Sequence, residues 1–242
     1  MQIRQGKLDS AAATFDRCIE QFPRNAQCPG FRILFGWSLG QYDSVRVQLE
    51  RIRPTLTEPT VRATAVSFEA DVARLRGKLR DAERLIDQSI ALSSQAGMSG
   101  GVLYSKIAQA LDAAWFLGDT ARAERLLDEG MARDPIDKLS MTEAPYYETL
   151  ATYALAGRVD RARVLLSQWE ARRQTSPSIA DSSRLHAIRG VIALQSGQYA
   201  VAQGELRAAN EVGCAICEMP LLARAYDLDG KPDSAIAVYN SA

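Results

Sequence analysis

Leu117-Gly118-Asp119-Thr120-Ala121-Arg122-Ala123 opens a segment that runs on to Pro135. A glycine makes a turn, a small residue follows five positions later, and the larger Leu127 comes four positions after that. Residues four apart lie on one face of a helix, so Ala123 lets a neighbouring helix approach while Leu127 fills the space beside it. Pro135 closes the segment because proline cannot continue a helix. The stretch predicts a turn followed by one amphipathic helix.

The same pattern recurs along the whole chain. Its turn glycines lie 34, 37, 41, 39, 40 and 33 residues apart, at Gly6, Gly40, Gly77, Gly118, Gly157, Gly197 and Gly230. Small apolar residues follow five positions after each glycine, at Ala11, Val45, Ala82, Ala123, Ala162, Ala202 and Ala235. Larger side chains come four positions further on, at Phe15, Leu49, Ile86, Leu127, Leu166, Leu206 and Tyr239. A period near 34 residues is the signature of stacked helix-turn-helix repeats.

The segment before each turn glycine supplies the first helix of a repeat. We predict these helices at Arg62–Arg76, Tyr104–Leu117, Tyr146–Ala156, Ser183–Ser196 and Met219–Asp229. The glycine ends the first helix through a positive φ. A polar residue after the turn is expected to cap the second helix, at Asp9, Asp43, Thr120 and Asp233. Pro23 and Pro135 are expected to end second helices.

Composition limits the classes of function. The 242 residues are 47% hydrophobic but only 7% aromatic, which favours helices packed through small side chains. Lys+Arg and Asp+Glu both number 29, so no net charge attracts nucleic acid or an anionic membrane. The N-terminus lacks the pattern of a signal peptide, and no apolar run approaches the roughly 20 residues of a membrane span. We expect a cytoplasmic protein, with an extracytoplasmic part of a membrane-anchored protein left open.

The repeats resemble the tetratricopeptide repeat (TPR) family along essentially the whole chain. The resemblance is strongest at Gly6–Asn25, Ala26–Arg53, Gly118–Pro135 and Arg224–Tyr239. It implies an all-α fold, a right-handed α-solenoid of about seven TPR-like repeats that forms a single domain over residues 1–242. The middle repeats exceed 34 residues, with the extra residues expected between units at Ser93–Gly101 and Arg172–Ser182. Such lengthened units resemble the repeat regions of large bacterial signalling proteins.

Both ends of the sequence fall within a repeat, so we expect a fragment of a longer chain. Exposed terminal repeats could stack on a second copy and make a homodimer.

The resemblance also implies a binding groove. In this family the first helices line the concave surface, and positions about three and six residues before the turn glycine face it. The expected partner-binding residues are Trp37, Asp71, Arg74, Asp112, Trp115 and Tyr147. Aromatic anchors carry much of the energy of interfaces, so we expect a peptide with apolar and basic residues. Packing of Trp37 and Trp115 against the next repeat is the alternative.

Some relatives hold an acidic peptide C-terminus through Lys and Asn in the groove. Here the further groove positions are Leu34, Asp71 and Asp112, so that clamp is missing.

The Cys214-Ala215-Ile216-Cys217 motif has the spacing of a redox pair, expected at a helix N-terminus that lowers a thiol pKa. No βαβ pattern surrounds it, and zinc would need two further ligands. Cys18 and Cys28 belong to the opposite end of the chain. Structural thiols are favoured at Cys214 and Cys217, with a reversible disulfide or a metal site as alternatives.

Three other motifs have a structural interpretation. The stretch Asp227–Asp233 begins like a calcium loop, but its twelfth position is Val238 instead of glutamate, so we expect an inter-helix turn. Gly97–Gly101 lacks the lysine of a phosphate loop and is expected to be a flexible inter-repeat loop. His186 is the one histidine and has no nucleophile partner.

We therefore expect a non-catalytic protein or peptide binder without cofactor or metal, within a larger regulatory or signalling protein. A domain that senses a small ligand between repeats and controls an attached effector is the main alternative. RNA binding is less favoured because the charge is balanced. An enzyme is least favoured because nothing assembles nucleophile, base and oxyanion donors.

Overall fold

The structure is a computed structural model that describes residues 8–22, 27–141, 143–173, 179–212 and 219–241. Within these ranges the chain forms thirteen α-helices and no strand. It divides into two compact units, Met1–Ser105 and Lys106–Ala242. The single domain over residues 1–242 therefore stays a prediction.

The first unit contains five helices and the start of a sixth. They are α1 (Leu8–Gln21), α2 (Gln27–Ser38), α3 (Tyr42–Ile52), α4 (Pro59–Leu75), α5 (Leu79–Gln95) and α6 (Ser99–Trp115), with a 3₁₀ turn at Arg53–Thr55. Neighbouring helices from α1 to α5 pack against one another in chain order. One buried cluster draws on α2, α3 and α4 and comprises Ile33, Val45, Leu49, Ala65 and Val72.

The second unit contains the end of α6 and seven further helices. They are α7 (Thr120–Arg133), α8 (Tyr146–Leu155), α9 (Val159–Arg173), α10 (Ile179–Gln195), α11 (Tyr199–Val212), α12 (Met219–Leu228) and α13 (Pro232–Ser241). The pairs α8–α9, α10–α11 and α12–α13 form hairpins, while α10 also packs on α8 and α11 on α12. Each hairpin therefore stacks on the next, as the repeat pattern predicts.

Burial confirms the repeat positions. All seven small residues of the second helices, from Ala11 to Ala235, are between 0% and 4% exposed. Of the larger residues four positions on, Leu49, Ile86, Leu127 and Leu206 are buried, Phe15 and Leu166 are half-buried, and Tyr239 is exposed. The small side chain is thus the constant element of the repeat, because it sits where two helices approach most closely.

The turn glycines have the predicted conformation. Those from Gly40 to Gly230 have φ between 65° and 80°, the left-handed region that favours glycine, while Gly6 lies outside the described residues. After Gly77, for example, the Lys78 N–H donates to the carbonyl of Ala73 at 2.9 Å. This bond to the residue four before the glycine defines a Schellman cap. The turns at Gly40, Gly97, Gly157, Gly197 and Gly230 repeat it.

The prediction of a flexible loop around Gly97–Gly101 is wrong. Gly97 is a seventh positive-φ turn, Ser93 still belongs to α5, and Ser99 already begins α6. The interval of 41 residues from Gly77 to Gly118 is long because α5 and α6 each have 17 residues, so the extra length lies in the helices. The second such stretch, Arg172–Ser182, falls partly outside the described residues.

The predicted caps lie too late in the sequence. α7 is capped by Asp119, whose side chain accepts from the Arg122 N–H at 2.9 Å, and Thr120 is already the first helical residue. Asp9, Asp43 and Asp233 likewise lie in the first turns of their helices. Negative charge there is favourable because it interacts with the positive end of the helix dipole.

An arginine anchors the long connection between α7 and α8. The Arg172 guanidinium donates to the carbonyls of Ile136 (3.1 Å) and Leu139 (2.8 Å) and to the Tyr146 hydroxyl (2.9 Å). It also lies 5.6 Å from the centre of the Tyr146 ring, which stacks on Trp169 at 5.9 Å. Ile136 is buried, so the connection is fixed onto α9.

A disulfide joins α1 to α2 between Cys18 and Cys28, whose Cα atoms are 5.6 Å apart. The sequence pattern did not predict this bond. Cys214 and Cys217 lie outside the described residues. Among the described helices, none combines the length and apolar character needed to cross a bilayer.

Candidate functional site

Three consecutive large apolar residues are exposed at the end of α6. Trp115 is 46%, Phe116 47% and Leu117 54% exposed. We call this feature the Trp115–Leu117 turn. It is the one place in the sequence where a turn glycine follows a run of three such side chains.

The Trp115–Leu117 turn departs from the Schellman cap of the other turns. The Asp119 N–H donates to Ala113, which is five residues before Gly118 instead of four, at 2.8 Å. One extra residue is therefore accommodated in front of the glycine, and Phe116 and Leu117 both donate to the carbonyl of Asp112 (3.1 and 3.3 Å). The extra residue places one more large apolar side chain in the turn.

The shifted turn accounts for the burial of Asp112. The repeats can be aligned on the carbonyl that accepts the turn hydrogen bond, which is Ala113 in α6. In that alignment Asp112 is equivalent to four buried residues of other repeats, Val72, Thr152, Ile192 and Ala225. Its side chain is accordingly only 9% exposed. Relative to the carbonyl that accepts this bond, Asp112 and Trp115 each lie one residue later than Asp71 and Arg74 do in α4, so equal distances from the glycine do not give equivalent positions. Partner binding by Asp112 and Trp115 stays a prediction.

The remaining predicted groove residues fall in both units. In the first unit, Asp71 and Arg74 form an ion pair one turn apart on α4, with side chains about one-fifth and one-eighth exposed. The side chain of Trp37 lies outside the described part of the structure. In the second unit, Tyr147 is half-buried on α8. The structure thus joins Asp71 to Arg74, and binding by these residues stays a prediction.

A pocket that the sequence pattern did not predict opens in the second unit. It has a volume of about 310 Å³ and lies among α7, α8 and α9. Its lining consists of Met131, Tyr153, Asp160, Arg161, Val164, Leu165 and Gln168. Because these side chains come from the helices of two successive repeats, no periodicity within one helix could reveal it.

A polar cluster forms one wall of this pocket. The Asp128 carboxylate accepts from the Tyr153 hydroxyl at 2.9 Å and from the Arg161 guanidinium. Burial, followed by the hydrogen bond to Asp128 and its charge, raises the pKa of Tyr153 to about 12. The Arg161 guanidinium also lies 5.8 Å from the centre of the Tyr153 ring. Tyr153 therefore stays neutral at physiological pH and is held as a hydrogen-bond donor.

Two further carboxylates neutralise the arginines of the cluster. Glu124 pairs with both Arg158 and Arg161, and Arg158 also donates to Asp160 at 3.0 and 3.2 Å. The hydrogen bond from Arg158 holds the pKa of Asp160 below its usual value. The pocket is thus an apolar cavity with an ion-paired rim, and nothing in this set combines a nucleophile with a base.

The other motifs have structural roles where they are described. The Asp229 carboxylate accepts from Lys231 (2.6 Å) and Gln203 (2.9 Å), in that order the main causes of its lowered pKa, which supports an inter-helix turn at Asp227–Asp233. His186 Nδ1 lies 2.7 Å from the Glu205 carboxylate. Among the described residues no group of three or more His, Cys, Asp or Glu side chains could hold a metal ion.

Comparison with known proteins identifies the fold. The sequence matches no family model, and no curated protein matches it closely. A solved structure has a similar fold. It is a tetratricopeptide repeat protein from Parabacteroides merdae ATCC 43184, with a TM-score of 0.61, 16% sequence identity, and coverage of 93% of this chain and 80% of its own. The chain is therefore a TPR-like, all-α helical repeat, as the sequence predicts. At this identity the likeness shows the fold alone.

Proposed function

We propose that the chain is a non-catalytic scaffold that binds a peptide or protein segment on its first helices, as the repeat region of a larger regulatory or signalling protein. The observation that carries the proposal is the exposed Trp115–Leu117 turn. An apolar run of this kind on a water-facing turn has an unfavourable contact with solvent, which a partner would remove. Trp is also among the residues that dominate binding energy at interfaces.

The structure changes the expected chemistry of the partner. Asp112 is buried and Asp71 is paired with Arg74, so the two acids that suggested a basic peptide are not both open to it. Apolar contact through Trp115 and its neighbours, with Tyr147 as a further expected contact, remains. The segment we propose is therefore chiefly apolar.

A comparison of two matched variants tests this proposal. Trp115 and Leu228 occupy the same position in the register of their repeats, and both are 46% exposed. The immobilised wild type, Trp115→Ala and Leu228→Ala would be incubated with lysate of the source cells, and the retained proteins quantified by mass spectrometry. A protein lost by Trp115→Ala at least about tenfold but kept by Leu228→Ala supports the proposal, because hot-spot truncation costs about 2 kcal/mol or more. Equal retention by all three would remove the turn as the interface.

The pocket beside Tyr153 favours a second candidate, a domain that binds a small ligand between repeats and controls an effector. Its volume of about 310 Å³ lies at the lower end of the range for ligand sites. The apolar floor and hydrogen-bonding rim also suit such a site. The polar groups of the rim already form hydrogen bonds and ion pairs with one another. They would therefore contribute little to the recognition of a particular ligand, so this candidate stands second.

Filling the pocket tests the second candidate. Val164→Trp would occupy it, whereas Val201→Trp places the same side chain on an exposed position of α11. A metabolite that raises the Tm of the wild type and of Val201→Trp but not of Val164→Trp would support ligand binding there. A Tm increase shared by all three proteins would exclude the pocket as its site.

A further inference from the structure

Helix α1 has little buried surface to hold it in place. Among its described side chains only Ala11 is buried, while Phe15, Cys18 and Ile19 are half-buried. The seventeen-residue α5, by contrast, buries six residues. Since burial of apolar area is the main favourable term in packing, α1 is weakly docked by its side chains alone.

The described non-covalent contacts of α1 with α2 include side chains that are partly exposed. The Phe15 ring lies 5.6 Å from the Phe35 ring and 6.4 Å from the Phe31 ring, and Phe31 is itself more than half exposed. Arg32 Nε donates to the Asp16 carboxylate at 3.0 Å, but Asp16 is mostly exposed. A solvent-exposed ion pair adds little stability.

The Cys18–Cys28 disulfide adds a covalent tie at this weak junction. Its Cα–Cα distance of 5.6 Å is the usual separation for a disulfide. Cys28 is 2% exposed whereas Cys18 is half-buried, so Cys18 is the more exposed residue of the pair. Disulfides persist in oxidising compartments and are rare in the reducing cytosol.

We propose that the Cys18–Cys28 disulfide is a redox-dependent clamp that docks α1 on α2, and that this end of the chain is built for an oxidising compartment. The clamp forms by thiol–disulfide exchange. The two thiols give up two protons and two electrons to a disulfide carrier R–S–S–R, which leaves as two R–SH molecules. Reduction by two thiols reverses the exchange, frees α1 and bares Phe35, which Phe15 otherwise contacts.

The proposal departs from the cytoplasmic location expected from the sequence. That expectation rested on the missing signal-peptide pattern and on the lack of an apolar run long enough to span a membrane. The disulfide bears on the compartment, because such bonds persist where the surroundings are oxidising.

Thiol trapping and hydrogen exchange on the full chain test the proposal. The protein would be isolated from the source cells after acid quenching and alkylated without reductant. Amide exchange would then be followed by mass spectrometry with and without a phosphine reductant. The variants Cys18→Ala/Cys28→Ala and, as matched control, Cys214→Ala/Cys217→Ala would be compared with the wild type.

The clamp predicts a specific set of results. Cys18 and Cys28 resist alkylation in protein from the cells, and reductant speeds exchange in Leu8–Gln21 at least about tenfold while Val159–Arg173 is unchanged. The control pair variant responds to reductant as the wild type does, and Cys18→Ala/Cys28→Ala exchanges fast with or without it. Alkylation of both thiols in the cellular protein would overturn the compartment, and unchanged exchange in α1 after reduction would overturn the clamp.

Discussion

Two glycines inside helices of the second unit have opposite surroundings. A Cβ built on Gly190 of α10 would lie 2.6 Å from Leu206 Cγ and 3.3 Å from the Leu206 backbone nitrogen, whereas nothing lies within 4 Å of one on Gly204 of α11. We expect Gly190→Ala to lower the free energy of unfolding by about 1–3 kcal/mol through overpacking. Gly204→Ala is expected to raise it by about 1 kcal/mol, since alanine is the better helix former. Urea unfolding of both variants measures this, and a stabilising Gly190→Ala would contradict the close packing of α10 on α11.

The Tyr153 hydroxyl makes stability depend on pH in the alkaline range. Its pKa is about 12 in the folded chain against about 10 in an unfolded one, so the fold favours the neutral phenol. The resulting stabilisation is complete below pH 10 and is lost as pH rises from 10 to 12. We expect the wild type to lose about 2 kcal/mol more than Tyr153→Phe across this range. Urea unfolding at several pH values measures the difference, and parallel curves for the two proteins would show that Tyr153 is not held neutral.

At the scale of residues, the sequence predicted what depends on spacing within one helix. Ala123 and its six equivalents are buried because the interval from the turn glycine fixes their face. The fixed interval failed at Asp112, because one extra residue in the turn changes the face without changing the residue types. The extra residue is seen from the hydrogen bond between the Asp119 N–H and the Ala113 carbonyl. This is a bond between backbone groups, so the residue types of the sequence do not predict it.

At the scale of the elements, one side chain makes several hydrogen bonds to the connection between α7 and α8 and to the start of α8. Arg172 makes hydrogen bonds with two carbonyls and the Tyr146 hydroxyl, whereas Arg163 on the same helix makes one with the Ser196 hydroxyl. We expect Arg172→Ala to lower the free energy of unfolding by about 2–3 kcal/mol, since its bonds are charge-assisted and two go to carbonyls left without this donor. Arg163→Ala should cost less than about 0.5 kcal/mol. Hydrogen exchange in residues 136–141 checks the mechanism, and unchanged exchange in Arg172→Ala would show that the arginine does not fix the connection.

The sequence predicted helix boundaries correctly where a proline or a turn glycine marks the end of a helix. α8 begins at Tyr146, as predicted, directly after Pro145, and the turn at Gly157 marks its end. α6 begins five residues earlier than predicted, since glycines at 100 and 101 are tolerated inside a packed helix. The Gly101 Cβ position lies 3.0 Å from Ser93 Oγ, so the glycine there permits close approach of the two helices instead of a loop.

At the scale of the whole molecule, the sequence predicts features that depend on neighbouring segments of the chain better than contacts between separate helices. Repeat order follows from the sequence because each hairpin packs on its neighbours in the chain. The Tyr153 pocket and the Cys18–Cys28 bond depend on where side chains from separate helices meet, so spacing within a helix does not give them. The Trp115–Leu117 turn is predictable only in part. Its apolar residues can be read from the sequence, but its altered cap cannot.

The central claim is that the Trp115–Leu117 turn contacts a partner. Site-specific photo-crosslinking tests it most directly, with p-benzoylphenylalanine in place of Phe116 and, as control, in place of Val201, which is exposed on α11. Both proteins would be irradiated in the source cells and their adducts identified by mass spectrometry. We expect a specific protein adduct from position 116 that position 201 does not form. The same adducts from both positions, or none from position 116, would contradict it.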